Sequence, residues 1–487
     1  MRGVGLHPWP WKTALLLFAL CVFLLGSKLD FSGYVHADEP NKVHQITQDK
    51  YNFNHPLLML NSVRLYAHLA GISDNYDRVI RAGRWSSVIF AALAVALLVL
   101  VTGRLHGVFI AVAAGTFVLT TPLFFELAHY FKEDPSLLFG VGLSLVAMQV
   151  YGEKPSHLRA ALLGAACGVA ASGKYAGLMV LPFAVYAVVA AHRARDLGTL
   201  VFFALGVFTL INLPMLSVPE LWKSRVDLEV SRLQAPPLRN PRSIPHGVYF
   251  AIFRDQASPV ILGLIAVYVA SIWRRKFRLS PVEWSLLLLP AIYIAVLSFI
   301  PTTSDRYILP VSVLLACVAA AGLGPLLGLK HGKYWAGLLV AASVAWQSPR
   351  LYAENLAFSS RRHDEVLAFI EAKLPPSAVV LADNYQSLAP RQEENPTLKQ
   401  RPLEPNETLD TLRQSGVTHL LITSKRYPIF TPDNRKTSGL SPGEDEKMRE
   451  LYAEIFSRCR LVFEWQEGAK KQLAPEFRLY ELPKNQP

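Results

Sequence analysis

Two adjacent carboxylates, Asp38 and Glu39, follow the first long apolar stretch of the sequence by about ten residues. His55 comes next, in the segment Asn-Phe-Asn-His-Pro-Leu-Leu, which opens an amphipathic helix predicted over 57–69. Ionisable groups at a membrane boundary cost free energy and are often functional. Asp38 could equally cap a short helix, because Asp is a favoured N-cap residue.

A second polar group lies between two further apolar stretches; its members are Glu126, His129, Tyr130, Lys132, Glu133 and Asp134. Asp134-Pro135 also has the pattern of a helix start, with Asp at the N-cap and Pro at the first helical position. A third group comprises Lys174-Tyr175 and Arg306-Tyr307, each between apolar stretches. These basic residues could bind a phosphate at the membrane surface or extend towards lipid headgroups.

The residue types indicate a class of reaction. A carboxylate can take a proton from an acceptor hydroxyl or amine as a general base. Lys and Arg can stabilise the charge that develops on a departing phosphate. Glycosyl transfer from a lipid phosphate uses both, and hydrolysis or phosphoryl transfer fits these residue types almost as well.

These groups must be positioned by membrane helices, because the 487-residue chain is 52% hydrophobic and only 18% charged. We predict a mostly α fold, with a polytopic transmembrane helical bundle of about eleven spans in residues 1–347. The 160–191 region could be one kinked element or two helices. Four cysteines exclude a disulfide scaffold. The predicted spans are 13–27, 85–102, 108–125, 135–151, 160–173, 176–191, 197–214, 258–273, 284–300, 307–327 and 334–347.

The net charge of +12 could suggest a nucleic-acid partner, but the basic residues are distributed as in a membrane protein. Alternate connections between the spans contain 13 basic and three acidic residues. This pattern predicts that these connections and the N-terminus are cytoplasmic. The odd number of spans places the C-terminus outside, together with two long outer loops, 28–84 and 215–257.

Two local features refine this topology. Ser280 and Glu283 form a predicted capping box that begins one span. The first apolar stretch could instead be a signal peptide cleaved after Val35-His36-Ala37, although that site lies far beyond the apolar run.

Residues 348–487 contain 20 basic and 20 acidic residues and lack an apolar stretch long enough to span a membrane. Helical and strand patterns alternate here, which predicts a small α/β domain outside the membrane. The predicted helices are 363–374, 407–414 and 446–457, and the predicted strands are 377–383, 417–423, 461–465 and 477–482.

The order of the polar motifs resembles that of the GT-C superfamily of membrane glycosyltransferases. Within it, the closest likeness is to the protein O-mannosyltransferases and the lipid A aminoarabinose transferases, in their bacterial type. The family pattern places an Asp-Glu pair after the first span, matched by Asp38-Glu39. A His-Pro-Pro-Leu-like element follows, matched by residues 55–58, HPLL.

The resemblance continues through three later motifs. An acid before Pro at the head of the fourth span corresponds to Asp134 in HYFKEDPSLLFG. A Lys-Tyr or Lys-Phe junction corresponds to Lys174 in ASGKYAG. An Arg-Tyr-Leu-Leu-Pro helix start corresponds to Arg306 in RYILP, residues 306–310. The motifs are weak singly, and their common order and side of the membrane make the combination specific.

The resemblance implies a periplasmic-face enzyme that uses polyprenyl- or dolichyl-phosphate sugars and inverts the anomeric centre. Asp38 would be the catalytic base with Glu39 beside it, and Asp134 the second acid. Lys174 and Arg306 would hold the donor phosphate, and His55 would shape the site. Four further candidate substrate-binding residues come from the same polar groups: Tyr130, Lys132, Tyr175 and Tyr307.

Two departures from the family pattern bear on the substrate. His-Pro-Leu replaces His-Pro-Pro, so the turn at this point can differ. The chain has no room for the lumenal sugar-binding module of eukaryotic protein mannosyltransferases, which favours a bacterial inner-membrane enzyme. The acceptor could be a lipid, a glycan or a protein.

No cofactor is required by any motif, although Asp38, Glu39 and Asp134 could share a divalent cation. A transporter or lipid flippase is the main alternative, and it would favour paired repeats and polar residues within the spans. A non-catalytic scaffold is the other alternative.

Overall fold

The computed structural model describes residues 7–30, 38–234, 248–274, 276–298, 305–383, 397–424, 426–431, 440–468 and 475–483. Val35-His36-Ala37, the cleavage site considered above, lies outside these residues. By internal contacts the chain divides into two units. Of the described residues, the first unit contains those within 7–29, 42–234 and 248–352, and the second contains those within 30–41 and 353–483.

The first unit is helical. Among the described residues, its first nine helices in chain order are α1 (Trp11–Gly26), α2 (Asp38–Thr47, which begins in the second unit), α3 (Leu58–Leu69), α4 (Tyr76–His106), α5 (Val108–Leu119), α6 (Pro122–His129), α7 (Asp134–Glu153), α8 (His157–Gly173) and α9 (Leu181–Ala190). The next eight are α10 (Asp196–Ile211), α11 (Pro219–Gln234), α12 (Val248–Gln256), α13 (Pro259–Arg274), α14 (Pro281–Leu297), α15 (Leu309–Ala321), α16 (Gly324–Leu327) and α17 (Gly332–Ala357, which ends in the second unit).

Local sequence signals set the ends of these helices. Asn75 caps α4 by accepting a hydrogen bond from the Arg78 amide at 3.0 Å. Ser280 and Glu283 form the predicted capping box at the start of α14. Lys174 has an extended backbone, which separates α8 from a 3₁₀ turn over Tyr175–Val180 and from α9. The 160–191 region is therefore two helices.

The core of this unit is built on close helix packing. Helix α8 packs against α7 and α10, and α4 packs against α1, α5 and α7. Small residues on α8 allow the approach, because a Cβ atom on Gly164 would lie 2.2 Å from the Leu200 carbonyl oxygen of α10. Most of the buried side chains of α4, α7 and α8 are accordingly apolar.

Three helical segments among the described residues are long and apolar enough to cross a membrane: Tyr76–His106, Asp134–Glu153 and Asp305–Leu327. Two bent pairs could each form one more span, α5 with α6 at 64° and Tyr249–Gln256 with α13 at 113°. The apolar segments predicted from the sequence are helical in their described parts. The number that crosses the membrane stays a prediction, and the total of eleven belongs to the sequence alone.

The second unit contains a five-stranded sheet. Its helices are α18 (Arg362–Lys373), α19 (Leu409–Gln414) and α20 (Pro442–Arg458), and its strands are β1 (Val380–Ala382), β2 (Leu398–Gln400), β3 (His419–Thr423), β4 (Arg460–Trp465) and β5 (Phe477–Glu481). The strand order is β2-β1-β3-β5-β4. Strand β1 is parallel to β2 and β3, and β5 is antiparallel to β3 and β4.

Two apolar clusters pack on this sheet. One joins Leu412 of α19 and Ile455 of α20 to the strands, and the other joins Val366 and Ile370 of α18 to Phe477. The predicted helices and strands lie at these elements. Strand β2 was missed because its three residues, Leu-Lys-Gln, show neither alternation nor an apolar run.

Candidate active site

Lys174 and Asp134 form a buried ion pair at the centre of the site. The Lys174 Nζ atom lies 2.9 Å from Asp134 Oδ1, and the two side chains are 15% and 2% exposed. Lys174 directly follows α8, and Asp134 is the first residue of α7. The prediction that Asp134 caps this helix is therefore wrong: Glu133 holds the N-cap position, and the Asp134 carboxylate binds Lys174.

Close packing of α8 against the start of α7 brings these two residues together. A Cβ atom on Gly173 would lie 2.7 Å from the Ser136 carbonyl oxygen and 2.8 Å from the Leu137 nitrogen. Ser136 also donates a hydrogen bond from Oγ to the Glu133 carbonyl at 2.8 Å, inside the first turn of α7. Glycine at 173 thus permits the approach that places Lys174 beside Asp134.

The Asp134 carboxylate stabilises the charged form of Lys174. Burial disfavours the ammonium, but attraction to Asp134 outweighs burial and raises the pKa of Lys174 above its ordinary value. Lys174 is therefore a permanent cation at neutral pH.

Arg306 and Tyr307 flank the ion pair from the 3₁₀ turn Asp305–Ile308, which precedes α15. The Lys174 Nζ atom and the Arg306 Cζ atom each lie 5.5 Å from the centroid of the Tyr307 ring. Both contacts are within the range of cation–π attraction. Both basic groups therefore contact the same aromatic ring.

Three cations act on Asp134. Lys174, Lys132 and Arg306 all interact with its carboxylate electrostatically. Lys132 is 1% exposed, in the short segment between α6 and α7. Asp134 Oδ2 is buried and accepts no hydrogen bond from the residues that the structure describes. Three basic side chains therefore act on one carboxylate, and one oxygen of that carboxylate is buried without a hydrogen bond from the described residues.

A second ion pair lies next to the first. The Lys42 Nζ atom of α2 is 3.0 Å from Glu133 Oε1, and both side chains are 6% exposed. The His55 Nε2 atom is 4.0 Å from Glu133 Oε2. Lys42 also stands over the Phe131 ring, 5.6 Å from its centroid. Lys42 was not singled out from the sequence, and Glu133 was named only as a member of the second polar group, without a role in the site.

His55 is neutral at pH 7. Burial lowers the pKa of its imidazole to about 4; Glu133 opposes this shift, and Lys174, Lys42 and Lys132 reinforce it. A neutral imidazole can donate from one ring nitrogen and accept at the other. His55 can therefore contact a polar ligand without adding charge.

Helix α2 is held in place at its C-terminal end. The Arg64 guanidinium of α3 donates to the carbonyls of Gln45 and Lys50 at 2.7 and 2.9 Å. It also stacks over Tyr51, 4.0 Å from the ring centroid. These contacts fix the helix that carries Lys42 against α3.

The other predicted site residues lie as follows. Asp38 begins α2 and is partly buried, and Glu39 beside it is fully buried; both belong to the second unit. Tyr175 donates a hydrogen bond to the Phe53 carbonyl at 3.3 Å. Tyr130 is fully buried. The structure therefore brings His55, Lys132, Asp134, Lys174, Arg306 and Tyr307 together, with Tyr175 supporting the turn before His55.

The described residues contain no group of three or more His, Cys, Asp and Glu side chains placed to hold a metal ion. The divalent cation that Asp38, Glu39 and Asp134 could share stays a prediction from the sequence.

The two members of the Lys42–Glu133 pair could have been singled out from local sequence patterns, although their pairing could not. Lys42 follows Asp38 by one helical turn, so a helix starting at Asp38 places both on one face. Glu133 directly precedes Asp134 in a segment already rich in ionisable residues. Their pairing with each other is long-range, and no local pattern reveals it.

A family model described as dolichyl-phosphate-mannose-protein mannosyltransferase matches residues 71–220. This range includes Lys132, Asp134 and Lys174. None of the curated protein sequences matches the chain.

Several solved structures share the fold. ArnT from Cupriavidus metallidurans bound to undecaprenyl phosphate has 14% sequence identity and a TM-score of 0.50, over 97% of this chain and 98% of that one. Its apo form has a TM-score of 0.53 at 14% identity, over 96% and 97% of the two chains. The oligosaccharyltransferase AglB from Archaeoglobus fulgidus, in complex with an inhibitory peptide and a dolichol-phosphate, has a TM-score of 0.60 at 11% identity. That match covers 95% of this chain and 80% of AglB.

The fold of this chain is similar to that of ArnT and AglB over almost its whole length. The family model and the structural matches agree with the resemblance found in the sequence, which is thereby confirmed: the chain is similar to the GT-C superfamily of membrane glycosyltransferases.

Proposed function

We propose that this protein transfers a sugar from a polyprenyl-phosphate donor to an acceptor at the outer face of the membrane. The observation that carries the proposal is the cation cluster around Asp134, in which Lys174 and Arg306 share the Tyr307 ring. Lys and Arg side chains bind phosphate oxygens through charge-assisted hydrogen bonds and stabilise the charge that develops on a leaving phosphate, so this cluster suits the phosphate that leaves during transfer.

The similar proteins support this choice of donor. ArnT binds undecaprenyl phosphate in its structure, AglB binds a dolichol-phosphate, and the family model is named for a dolichyl-phosphate-mannose donor. These lipids share a phosphate on a long isoprenoid chain. The shared chemistry suits a cationic site on a membrane helical bundle, and the choice among mannose, aminoarabinose or another sugar stays open.

The reaction we propose is a single inverting displacement. The acceptor oxygen or nitrogen forms a bond to the anomeric carbon while the bond from that carbon to the phosphate oxygen breaks. The acceptor proton passes to Asp38, and polyprenyl phosphate departs with the bonding electrons beside Lys174 and Arg306. Asp38 is proposed from its motif and from its place one turn before Lys42 on α2.

Asp134 has a supporting role in this proposal. Its Oδ1 atom holds Lys174, and its buried Oδ2 atom can accept a hydrogen bond from a hydroxyl of the donor sugar or the acceptor. His55, neutral beside Glu133, can add a further hydrogen bond to the sugar.

The proposed orientation has a cytoplasmic N-terminus, with the reaction and the C-terminal α/β unit on the opposite side of the membrane. The distribution of basic residues among the connections supports it. In a bacterium this face is periplasmic. The acceptor is a lipid, a glycan or a protein that is reached from that side.

Reconstitution with a labelled donor tests the proposal. Purified protein in vesicles is incubated with polyprenyl-phosphate mannose or aminoarabinose, labelled in the sugar, and with membrane lipid extract as a source of acceptor. Transfer of label with release of free polyprenyl phosphate supports the proposal. Movement of intact donor across the bilayer would indicate a transporter or flippase, and neither result with any donor would indicate a scaffold.

A further inference from the structure

The turn between α2 and α3 carries His55 and is tied to the protein at two points. Phe53 is buried and has a left-handed backbone conformation, with φ of 49°. At one end of the turn, the Phe53 carbonyl accepts the hydrogen bond from Tyr175. At the other end, the Leu57 amide donates to the side chain of Asn212 at 2.8 Å. Because a non-glycine residue with this φ is unfavourable by itself, the turn needs such external contacts.

Asn212 follows the last residue of α10 and is 3% exposed. Its Oδ1 atom accepts from the Leu57 amide, and its Nδ2 atom donates to Ser172 Oγ at 3.1 Å and to the Phe208 carbonyl at 2.8 Å. The amide oxygen and the amide nitrogen of Asn212 thus bind three segments: the turn before α3, the end of α8 and the end of α10. A buried amide with this set of contacts fixes the relative position of the segments.

The contacts of Asn212 fall next to two site residues. Leu57 is two residues after His55, and Ser172 is two residues before Lys174. The Tyr175 contact, one residue beyond Lys174, supports the other side of the same turn. Asn212 and Tyr175 therefore both link the segment of His55 to the segment of Lys174, and the contribution of Asn212 is not evident from any sequence motif above.

We propose that Asn212 is a positioning residue, which holds the His55 turn against the end of α8 and so maintains the donor-binding arrangement of His55 and Lys174. This inference rests on the proposed function, because it states that the hydrogen bonds of Asn212 affect donor binding. Asn212 itself has no part in bond making, since its polar groups are occupied by the protein.

Three variants separate positioning from general stability. Asn212→Leu removes both kinds of hydrogen bond and keeps the number and branching of the side-chain heavy atoms, and Asn212→Asp keeps an acceptor for the Leu57 amide. Asn61→Leu is the matched control, because Asn61 Nδ2 donates to the Ile211 carbonyl at 2.7 Å at the same junction of α3 with α10, but outside the turn.

Two readouts are measured on the full-length protein in detergent or vesicles. Hydrogen–deuterium exchange reports the protection of the amides at 53–57, independently of activity. Transfer kinetics with polyprenyl-phosphate sugar report KM for the donor and kcat. For Asn212→Leu we expect faster exchange at 53–57 and a donor KM raised about tenfold, with kcat changed much less. Asn212→Asp keeps the acceptor for the Leu57 amide but has no N–H group for the Phe208 carbonyl, so we expect its exchange and its donor KM to lie between those of wild type and Asn212→Leu. Asn61→Leu is expected to change neither.

Distinct results overturn the inference. Unchanged exchange at 53–57 in Asn212→Leu would show that Asn212 does not hold the turn. Faster exchange with a normal donor KM would show that the turn does not affect donor binding.

If Asn212→Leu fails to fold, Ser172→Ala provides a second test, because it removes one of the three contacts. We expect Ser172→Ala to raise the donor KM more than Asn61→Leu does, and equal values would contradict the inference. Failure of the wild-type protein to transfer sugar would instead overturn the proposed function, and the exchange result would still decide whether Asn212 holds the turn.

Discussion

The Lys174 Nζ atom lies 2.9 Å from Asp134 Oδ1, in a buried ion pair that joins the end of α8 to the start of α7. The two residues are 40 positions apart in the sequence, and both fall inside the segment that matches the mannosyltransferase family model. The pair places one cation of the proposed phosphate site in a fixed position. Replacing either partner leaves the other charge buried without its nearest counter-ion.

Removal of a cation from the cluster should weaken donor binding. Lys174→Ala and Arg306→Ala each remove a basic group that contacts Tyr307, and we expect the KM for the donor to rise at least tenfold. The KM for the acceptor should change far less. Initial rates at varied donor and acceptor concentrations measure both constants. An unchanged donor KM in both variants would contradict the phosphate-binding role.

The Lys174–Asp134 ion pair should form only if α8 packs closely against α7 at Gly173. Gly173→Ala places a methyl group against backbone atoms of Ser136 and Leu137, so α8 must move away from α7. We expect a loss of about 1–3 kcal/mol in the free energy of unfolding, together with a higher donor KM.

Gly198→Ala on α10 is the matched control for this variant, because nothing lies within 4 Å of the added methyl group. Denaturation curves and donor titrations of the two variants make the comparison. Equal behaviour of Gly173→Ala and Gly198→Ala would mean that the approach of α8 to α7 is not needed.

Loss of the proposed base should abolish transfer without unfolding the protein. Asp38→Asn removes the proton acceptor at nearly constant shape, and we expect kcat to fall by about 10²–10⁴-fold or more. Asp49→Asn is the control, because Asp49 lies just beyond the same helix with a side chain that is 86% exposed. Donor binding measured in the absence of acceptor should persist in both variants. Turnover near the wild-type rate in Asp38→Asn would remove Asp38 as the base.

The Lys42–Glu133 ion pair should stabilise the fold, because each side chain compensates the buried charge of the other. Lys42→Met leaves the Glu133 carboxylate buried without its ammonium, and we expect a loss of about 3–5 kcal/mol in the free energy of unfolding. The double variant Lys42→Met/Glu133→Gln removes both charges and should recover much of that loss. Thermal or chemical unfolding of the single and double variants provides the test. A double variant as unstable as Lys42→Met would show that the pair is not the source of the effect.

The pKa of His55 predicts how stability depends on pH. The folded protein lowers this pKa to about 4, whereas a histidine in an unfolded chain titrates near 6.5. The unfolded chain therefore takes up the proton first, and the stability associated with neutral His55 is lost as the pH falls from about 6.5 towards 4. Over this range the wild-type protein should lose stability relative to His55→Gln.

Unfolding temperatures at pH 7.0, 5.5 and 4.5 measure the difference between wild type and His55→Gln. His68→Gln, at an exposed histidine on α3, is the control. A constant difference between wild type and His55→Gln across this range would contradict the lowered pKa.

The sequence predicted those parts of the structure that depend on local signals. The capping residues Ser280 and Glu283 begin α14 as predicted, because the signal lies within one helical turn. Lys174 was expected at a junction between two spans, and it lies at the break between α8 and the following 3₁₀ turn. Strand β2 was missed because its formation depends on pairing with β1 and not on its own three residues.

The ion pairs of the site could be predicted only in part. Lys174 and Asp134 were both candidates, but their direct contact depends on Gly173 packing against α7, which is a tertiary feature. The role of Asp134 as a helix cap was predicted from Asp-Pro and was overridden by this contact. Lys42, Glu133 and Asn212 were not predicted as site residues, because their significance comes from partners distant in the sequence.

The central claim, that the Lys174 cluster holds the phosphate of a lipid-linked donor, is tested most directly by the position of that phosphate. A cryo-electron microscopy map of the protein in lipid nanodiscs with undecaprenyl phosphate would locate it. The account predicts phosphate density within hydrogen-bonding distance of Lys174 Nζ and the Arg306 guanidinium, absent in Lys174→Ala. Well-defined phosphate density elsewhere in the protein, with none at this cluster, would contradict it.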